Sequence, residues 1–265
     1  QSGGGSSARK RDQLMTLNVQ DHSPHIAIIT MENQAKRNAL SRSDLRDLGD
    51  LWLRLQDGPY RCIILTGSGE QSFSAGADLS GDLSAGPELS KMIHQGLLKY
   101  GVYRKPIIAA VNGDCAGGGV ELLLSTDIRA AAPEARFGLP EVRWGVYPFG
   151  GAALRLRQQI GHVHAMELIL GGQLIDATKA AHIGLINQVL PRVELMPWAI
   201  SMAERISANS PMAVQAVKEQ ITATDHELNY PREELEQVLG DRVRASPDFA
   251  EGIAAFQEKR SANYK

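Results

Sequence analysis

Short apolar runs and one amphipathic segment alternate through the first third of the chain. Residues 14–31 contain two strand-like runs separated by a polar turn at residues 21–24, and residues 61–66 (RCIILT) form a third run with an apolar centre. Between the second and third runs, Ser41 precedes a segment in which leucines and a tryptophan recur at spacings of three and four. Asp44 stands at the capping-box spacing from Ser41. The pattern therefore predicts two strands, a capped helix that ends at residues 57–59, and a buried strand.

Strand-like runs return at residues 106–111 and 127–132, the first of them after a helical stretch over residues 89–97. This alternation is typical of an α/β core. Beyond residue 150 helical periods dominate, over residues 152–160, 165–170, 196–206, 212–222, 233–243 and 249–258, with one short strand at 185–189. We predict three regions: a flexible arm or expression scar over residues 1–12, an α/β core over residues 13–195, and a helical region over residues 196–265.

Composition and charge exclude several classes of protein. Of the 265 residues, 43% are hydrophobic and 22% are charged, which is typical of a globular chain. The 28 basic and 30 acidic residues leave no overall basic field for nucleic acid. No apolar run approaches the ~18 residues of a membrane helix. Cys62 and Cys115 lie in apolar surroundings, so we expect buried thiols in a reducing, cytoplasmic compartment.

Common cofactor motifs are absent from the sequence. It contains no Gly-x-Gly-x-x-Gly fingerprint, no glycine followed by lysine as in a P-loop, and no Gly-x-Ser-x-Gly elbow. The close histidine pairs at 22/25 and 162/164 have no cysteine or acidic partners at metal-ligand spacing. We therefore expect neither a resident metal nor a nucleotide cofactor.

Two glycine-containing loops follow apolar strands. Gly117–119 open an apolar helix, whose first N–H groups have no internal acceptors and can bind an anion or a carbonyl oxygen. Without a P-loop lysine, the oxyanion of a polarised carbonyl is at least as suitable a ligand as phosphate. The loop at residues 72–79 could supply a second donor. Close packing of the helix start against a strand is an alternative explanation for the first loop, and a tight turn capped by Asp78 explains the second loop equally well.

Two glutamates stand close to these loops. Glu121 lies in the first turn of the helix, where a carboxylate also stabilises the helix dipole without any catalytic role. Glu141 follows the apolar segment 137–140 and, alone, reads equally as a surface acid. If both faced one apolar pocket, burial and mutual repulsion would separate their pKa values. They would then form a general acid and a general base.

Seven motifs, in order, carry a family resemblance: KRNAL at 36–40, FSAGAD at 73–78, KPIIAAVNG at 105–113, GGGVE at 117–121, FGLPE at 137–141, GLI at 184–186 and EGIAAFQEKR at 251–260. On these residues the chain resembles the crotonase, or enoyl-CoA hydratase/isomerase, superfamily. The resemblance implies an α/β fold, a crotonase-like spiral of ββα units with a helical C-terminal trimerisation region. It also implies self-association as trimers or hexamers.

The same resemblance implies an acyl-CoA substrate, bound without a separate cofactor, and no nucleic-acid or membrane partner. The N–H groups of Ala77 and Gly118 would form an oxyanion hole. Glu121 would activate water and Glu141 would protonate Cα, which makes the chain an enoyl-CoA hydratase. The implied coenzyme A surface comprises Lys36, Arg37, Ala75, Ala77, Asp78, Leu79 and Gly118.

Alternatives within and outside this chemistry remain open. An isomerase or a hydratase–lyase acting on another acyl-CoA would share the same fold, and a non-catalytic binding or scaffold protein is a further alternative.

The sequence also departs from the family pattern. Residues 148–151 have one residue fewer between the proline and the glycine pair, and the segment after Asp78 has no lysine near the coenzyme A phosphates. These departures bear on acyl specificity and coenzyme A contacts, not on the fold.

Overall fold

The computed structural model describes residues 16–78, 86–99 and 101–265, and its strands form a larger and a smaller sheet. Numbered along the chain but given in spatial order, the larger sheet contains β1 (Thr16–Ser23), β2 (Ile26–Glu32), β3 (Cys62–Gly67), β5 (Ile107–Val111), β7 (Ile128–Ala131) and β10 (Gln188–Val189). The smaller sheet contains β4 (Ser72–Ser74), β6 (Asp114–Ala116), β8 (Arg136–Gly138) and β9 (Ile175–Asp176). β1/β2 and β8/β9 pair antiparallel, and the other neighbours pair parallel.

The helices connect and cover these sheets. They are α1 (Arg42–Asp57), α2 (Pro87–Gly96), α3 (Gly118–Leu123), α4 (Ala152–Ile160), α5 (His162–Gly171), α6 (Ala177–His182), α7 (Arg192–Ser207), α8 (Pro211–Asn229), α9 (Glu233–Arg244) and α10 (Pro247–Gln257). A long strand, a short strand and a helix follow one another three times, as β3–β4–α2, β5–β6–α3 and β7–β8–α4. The predicted α/β class and the ββα unit are confirmed.

The central strands β3 and β5 of the larger sheet are buried on both faces because each face packs against its own apolar cluster. Ile63 and Ile107 point into the main core. Ile64 and Ile108, one residue further along each strand, pack with Ala199 of α7 on the opposite face. Continuous apolar runs, rather than alternating ones, are what a sheet covered on both sides requires.

Helix α1 confirms the capping prediction. Ser41 Oγ accepts from the Asp44 N–H at 3.2 Å, and Asp44 Oδ2 accepts from the Ser41 N–H at 2.7 Å. The helix ends at Asp57, as predicted. Trp52 Nε1 donates to the Gly96 carbonyl at 2.9 Å, which ties α1 to the end of α2.

Some local predictions were wrong. The predicted turn at residues 21–24 is too early, because β1 continues to Ser23 through an irregularity in its register with β2. Of the strand predicted at 185–189, only Gln188 and Val189 pair. The short strands of the smaller sheet and α6 were missed, and Ser72–Ser74, predicted as loop, forms β4. The predicted arm over residues 1–12 lies outside the described residues, and the division at residues 195 and 196 stays a prediction.

Helices α9 and α10 fold back over the carboxyl ends of the smaller sheet. Trp144, after β8, meets Phe256 of α10 edge to face, with ring centroids 5.3 Å apart. A Cβ on Gly240 of α9 would overlap the ring of Phe149, so this helix packs directly on that side chain. Within the described residues, no helix combines the length and apolar character needed to cross a membrane.

Candidate active site

Three neighbouring parallel strands of the smaller sheet carry the predicted functional groups just beyond their carboxyl ends. Ala75 to Ala77 follow β4, Gly117 and the start of α3 follow β6, and Glu141 follows β8. β4 pairs with β6 and β6 pairs with β8, both in parallel. Parallel strands end at the same edge of a sheet, where ligand sites of such sheets commonly lie. The sheet therefore brings together groups that are far apart in sequence.

Two backbone amides point into the space at this edge. Leu40 forms a parallel bridge with Ala77 in which its N–H donates to Gly76 O at 2.7 Å and its carbonyl accepts from the Asp78 N–H at 2.9 Å. Leu40 therefore pairs with the carbonyl of Gly76 and the N–H of Asp78, the residues before and after Ala77. In a parallel bridge of this kind the N–H of Ala77 itself points away from Leu40. Gly118 is the first residue of α3, where an N–H has no acceptor within the helix. A Cβ built on Gly118 would lie 3.4 Å from Ala77 N, so the two amides are neighbours.

Glu121 is held by a turn between the smaller sheet and α4. Its Oε1 accepts from the Ala152 N–H at 3.2 Å. The buried Arg155 donates from Nη2 to the carbonyls of Glu121 at 2.8 Å and Gly150 at 2.7 Å, which joins the helix backbone to the turn. A Cβ on Gly150 would overlap the Glu121 carboxylate. The Glu121 carboxylate therefore packs directly against the backbone of Gly150.

Glu141 lies in a 3₁₀ helix, Pro140–Trp144, rather than in the predicted loop. Gly145 ends this helix in the left-handed region, and Val146 N–H donates to Glu141 O at 3.0 Å. Gly117 has a φ of 55°, and a Cβ there would stand 2.9 Å from Glu141 Oε1. Within the described chain, the buried Oε2 has no hydrogen-bond partner. An anion on this oxygen would therefore lack a stabilising donor from the described chain.

A cavity of about 450 Å³ is lined by all four predicted catalytic groups, Ala77, Gly118, Glu121 and Glu141. Its wall is mainly apolar and comes from α2, the segment after β8, and α10, through Leu89, Ile93, Trp144, Tyr147, Phe249 and Phe256. Its volume falls in the range of small-molecule sites, which combine apolar walls with a few placed polar groups.

Burial sets the protonation of the two glutamates. Desolvation raises the pKa of Glu121, the Ala152 N–H opposes this rise, and the charge of Glu236 adds to it. Desolvation and then the charge of Glu121 raise the pKa of Glu141. A backbone N–H opposes the rise in both glutamates, that of Ala152 for Glu121 and its own for Glu141, but Glu141 also bears the charge of Glu121 and its Oε2 has no donor among the described residues, so Glu121 ionises more readily. The pair therefore favours a state with Glu121 ionised and Glu141 protonated.

The predicted coenzyme A surface is partly assembled at the mouth of this cavity. Ala75 and Asp78 line it. Lys36 and Arg37 do not line it but lie beside it, since Lys36 Nζ binds Asp78 Oδ2 at 2.6 Å and Arg37 O accepts from the Ala75 N–H at 2.9 Å. Leu79 lies outside the described residues. The coenzyme A role of this surface stays a prediction.

Sequence reasoning missed residues that reach the cavity from the C-terminal helices. Arg244 of α9 lines it, with its guanidinium 4.8 Å from the ring centre of Phe149, and Arg42 of α1 lines it as well. No local motif marks either arginine: Arg42 reaches the cavity from the first turn of α1, and Arg244 reaches it only because α9 returns over the sheet. Among the described residues, no three His, Cys, Asp or Glu side chains cluster as a metal site requires.

Comparison with known proteins identifies the family of this chain. The family model described as enoyl-CoA hydratase/isomerase matches residues 21–265. Enoyl-CoA hydratase EchA19 of Mycobacterium tuberculosis is 39% identical over 249 residues, covering 91% of this chain and 93% of that protein. Crotonyl-CoA hydratase of Syntrophomonas wolfei is 35% identical over 251 residues, covering 90% and 94%. The crystal structure of carnitinyl-CoA hydratase from Mycobacterium avium superposes with a TM-score of 0.85 at 33% identity, covering 95% of this chain and 99% of that one.

Proposed function

Because the chain belongs to the enoyl-CoA hydratase/isomerase family, we propose that it is an enoyl-CoA hydratase, which adds water across the 2,3 double bond of a 2-enoyl-CoA thioester. The observation that carries the proposal is the cavity lined by two glutamates and two outward-facing amides. Relatives named as hydratases at 35–39% identity over nine-tenths of the chain support the reaction class.

The Ala77 and Gly118 amides would act on the thioester carbonyl. Two N–H donors at one oxygen polarise the carbonyl, make Cβ electrophilic, and stabilise the negative charge that collects on oxygen as water adds. Removal of a single donor of this type typically costs about 3 kcal/mol of transition-state stabilisation. Both donors belong to backbone held by neighbouring strands, so little reorganisation is needed during the reaction.

The glutamates would divide the proton transfers. Glu121 is the more readily ionised, so it accepts a proton from the water that attacks Cβ. Glu141 is kept protonated by burial and by the neighbouring charge, so it donates a proton to Cα. Water thus supplies hydroxide to Cβ while a proton reaches Cα, and the electron pair of the double bond forms the new C–H bond. The chain's own groups and water suffice for this sequence, and coenzyme A enters only as part of the substrate.

The coenzyme A portion would lie across the mouth of the cavity, over Ala75, Ala77, Asp78 and Gly118. Lys36 and Arg37 stand beside this surface, and the lining residues Arg42 and Arg244 add positive charge to it. Such cations suit the phosphates of coenzyme A. Leu79 is included from the family resemblance alone.

A direct assay follows the loss of enoyl-thioester absorbance of crotonyl-CoA. Glu121→Gln and Glu141→Gln should each lower kcat by about 10²–10⁴-fold, because each removes a general acid or base, with little change in thioester affinity. Calorimetric binding of a saturated acyl-CoA checks the affinity. The conservative Glu234→Gln, on the exposed side of α9, serves as the charge-matched control.

Two results would contradict the proposal. Wild-type protein that shifts the double bond of a 3-enoyl-CoA but does not hydrate the 2-enoyl isomer is an isomerase. If either glutamine variant keeps near wild-type turnover, the glutamate that it replaces has no role in the mechanism.

Self-association and a cytoplasmic location complete the proposal. Val217, Ile221 and Leu228 lie at spacings of four and seven along α8, and each is more than half exposed in the single chain. An exposed apolar stripe of this kind is typical of an interface, which supports self-association; the number of subunits, three or six, rests on the family resemblance. Cys62 and Cys115 are buried free thiols, as expected in a reducing compartment.

A further inference from the structure

A buried ion pair lies behind the turn that holds Glu121. Lys99, which follows α2, pairs its Nζ with the Glu236 carboxylate of α9, and the two side chains are 2% and 4% exposed. Burial of two charges has a large desolvation cost, and replacement of such pairs by apolar residues is often stabilising. Stability alone is therefore a weak explanation for a pair at this position.

The aliphatic stem of Lys99 packs on the turn itself. A Cβ built on Gly151 would lie 3.1 Å from Lys99 Cγ and 3.4 Å from its Cε. Gly151 stands between Gly150, whose backbone packs on the Glu121 carboxylate, and Ala152, whose N–H donates to it. A continuous series of contacts thus runs from α9 through Lys99 and the turn to Glu121.

The charges around this series come from several elements. Lys99 also contacts Glu233 at 3.4 Å, and Glu233 accepts from His94 Nε2 at 2.7 Å. The charge of Glu236 raises the pKa of Glu121, whereas Arg155 of α4 and Lys99 lower it. The charge of Glu121 in turn raises the pKa of Glu141, beyond β8. Near the same cavity, burial and the charges of Glu236 and Glu121 raise the pKa of Tyr147 to about 12.

We propose that Glu236 is a positioning residue for Glu121, acting through Lys99 and the Gly150–Ala152 turn; the assignment rests on the proposed hydration. Glu236 neutralises Lys99 and so prevents an uncompensated cation behind the turn from holding Glu121 too firmly in its anionic form. An over-stabilised anion is a weaker base toward water. The ion pair both fixes the turn and keeps Glu121 basic enough to activate water.

The test is the pH dependence of kcat for crotonyl-CoA hydration by the full-length protein. Because Glu121 must be ionised to act, its titration sets the acid limb. Glu236→Gln removes the negative charge that offsets the Lys99 ammonium. The anion of Glu121 is then favoured, its pKa falls, and the acid limb of the pH profile should move to lower pH. We expect a shift of about one pH unit, which is a tenfold change in the ionisation constant. At the plateau, kcat should fall while KM changes little.

A double variant separates electrostatic from packing effects. Lys99→Gln combined with Glu236→Gln removes both charges, so the acid limb should return toward its wild-type position. Glu234→Gln makes the same charge change on the exposed side of α9 and should leave the limb in place. A Glu236→Gln variant that loses turnover equally at every pH, with an unmoved limb, would show a packing role only and overturn the inference.

An infrared titration of the Glu121 carboxyl without substrate makes the result independent of hydration. The band is assigned from the difference between wild type and Glu121→Gln, and its midpoint should fall in Glu236→Gln. A lower midpoint in a protein that does not hydrate crotonyl-CoA would support the coupling and refute the proposed reaction. An unchanged midpoint in an active hydratase would refute the coupling and leave the reaction standing.

Discussion

At the scale of single residues, Gly150 determines where the Glu121 carboxylate can lie. A Cβ at this position would overlap the carboxylate, and the next amide but one, that of Ala152, donates to it. The orientation of Glu121 therefore depends on a missing side chain as much as on a hydrogen bond. A Cβ on Gly117 would likewise crowd the Glu141 carboxylate, and the positive φ of Gly117 also favours glycine.

Gly150→Ala should lower kcat far more than it changes substrate affinity. The added methyl group displaces the carboxylate from the water it activates, and misplacement of a catalytic group by about 1 Å can cost about 10²-fold in rate. Steady-state hydration of crotonyl-CoA measures kcat and KM separately. Gly171→Ala, at the end of α5 with open space around its Cβ position, is the matched control and should have wild-type kinetics. A Gly150→Ala enzyme with unchanged kcat would show that the contact does not orient Glu121.

At the scale of elements, long periodic segments could be predicted from the sequence and the short strands could not. α1, α4, β3 and β5 have the spacing or the continuous apolar run that their environments require. β4, β6 and β8 have three residues each, with serine, aspartate or arginine among them, and no period is visible over such a length. These three strands exist because they pair with one another, which is a tertiary effect.

The convergence of the site depends on that pairing. Nothing in the local sequence indicates that Glu121 and Glu141 approach each other, since β6 and β8 place them side by side only after the sheet forms. The resemblance to a known family identified these residues where periodicity left their roles open. Glu236 and Arg244 had neither signal, because the return of α9 over the sheet is not visible in any motif.

The side chain of Ser41 caps the N-terminus of α1 and contributes to its stability. Ser41→Ala removes the acceptor for the Asp44 N–H and a donor to the buried Asp44 carboxylate, so unfolding free energy should fall by about 1–2 kcal/mol. Chemical denaturation monitored by circular dichroism measures the loss. Ser210→Ala, which removes the single side-chain cap of α8 at 3.4 Å, should cost less because no buried carboxylate depends on it. Equal losses in the two variants would mean that Asp44 contributes nothing beyond an ordinary cap.

At the scale of the whole molecule, the C-terminal helices have two distinct faces. α9 and α10 turn inward over the cavity through Arg244, Phe249 and Phe256, whereas α8 presents Val217, Ile221 and Leu228 outward. The helices that close the site are thus continuous with the helix that carries the exposed stripe. Association through α8 would also restrain α9, and with it the Lys99–Glu236 pair behind Glu121.

Val217→Asp with Ile221→Asp should dissociate the proposed trimer or hexamer into single chains, because charges placed in an apolar interface lose their hydration without gaining partners. Analytical ultracentrifugation measures the mass in solution. Leu53→Asp, an exposed leucine on α1 remote in sequence from the stripe, is the matched control and should leave the mass unchanged. Because α8 is joined to α9 by the short 3₁₀ helix Tyr230–Arg232, we expect the dissociated variant also to lose hydration activity while single-chain folding, measured by circular dichroism, persists. A variant that keeps the wild-type mass would place the interface on another surface.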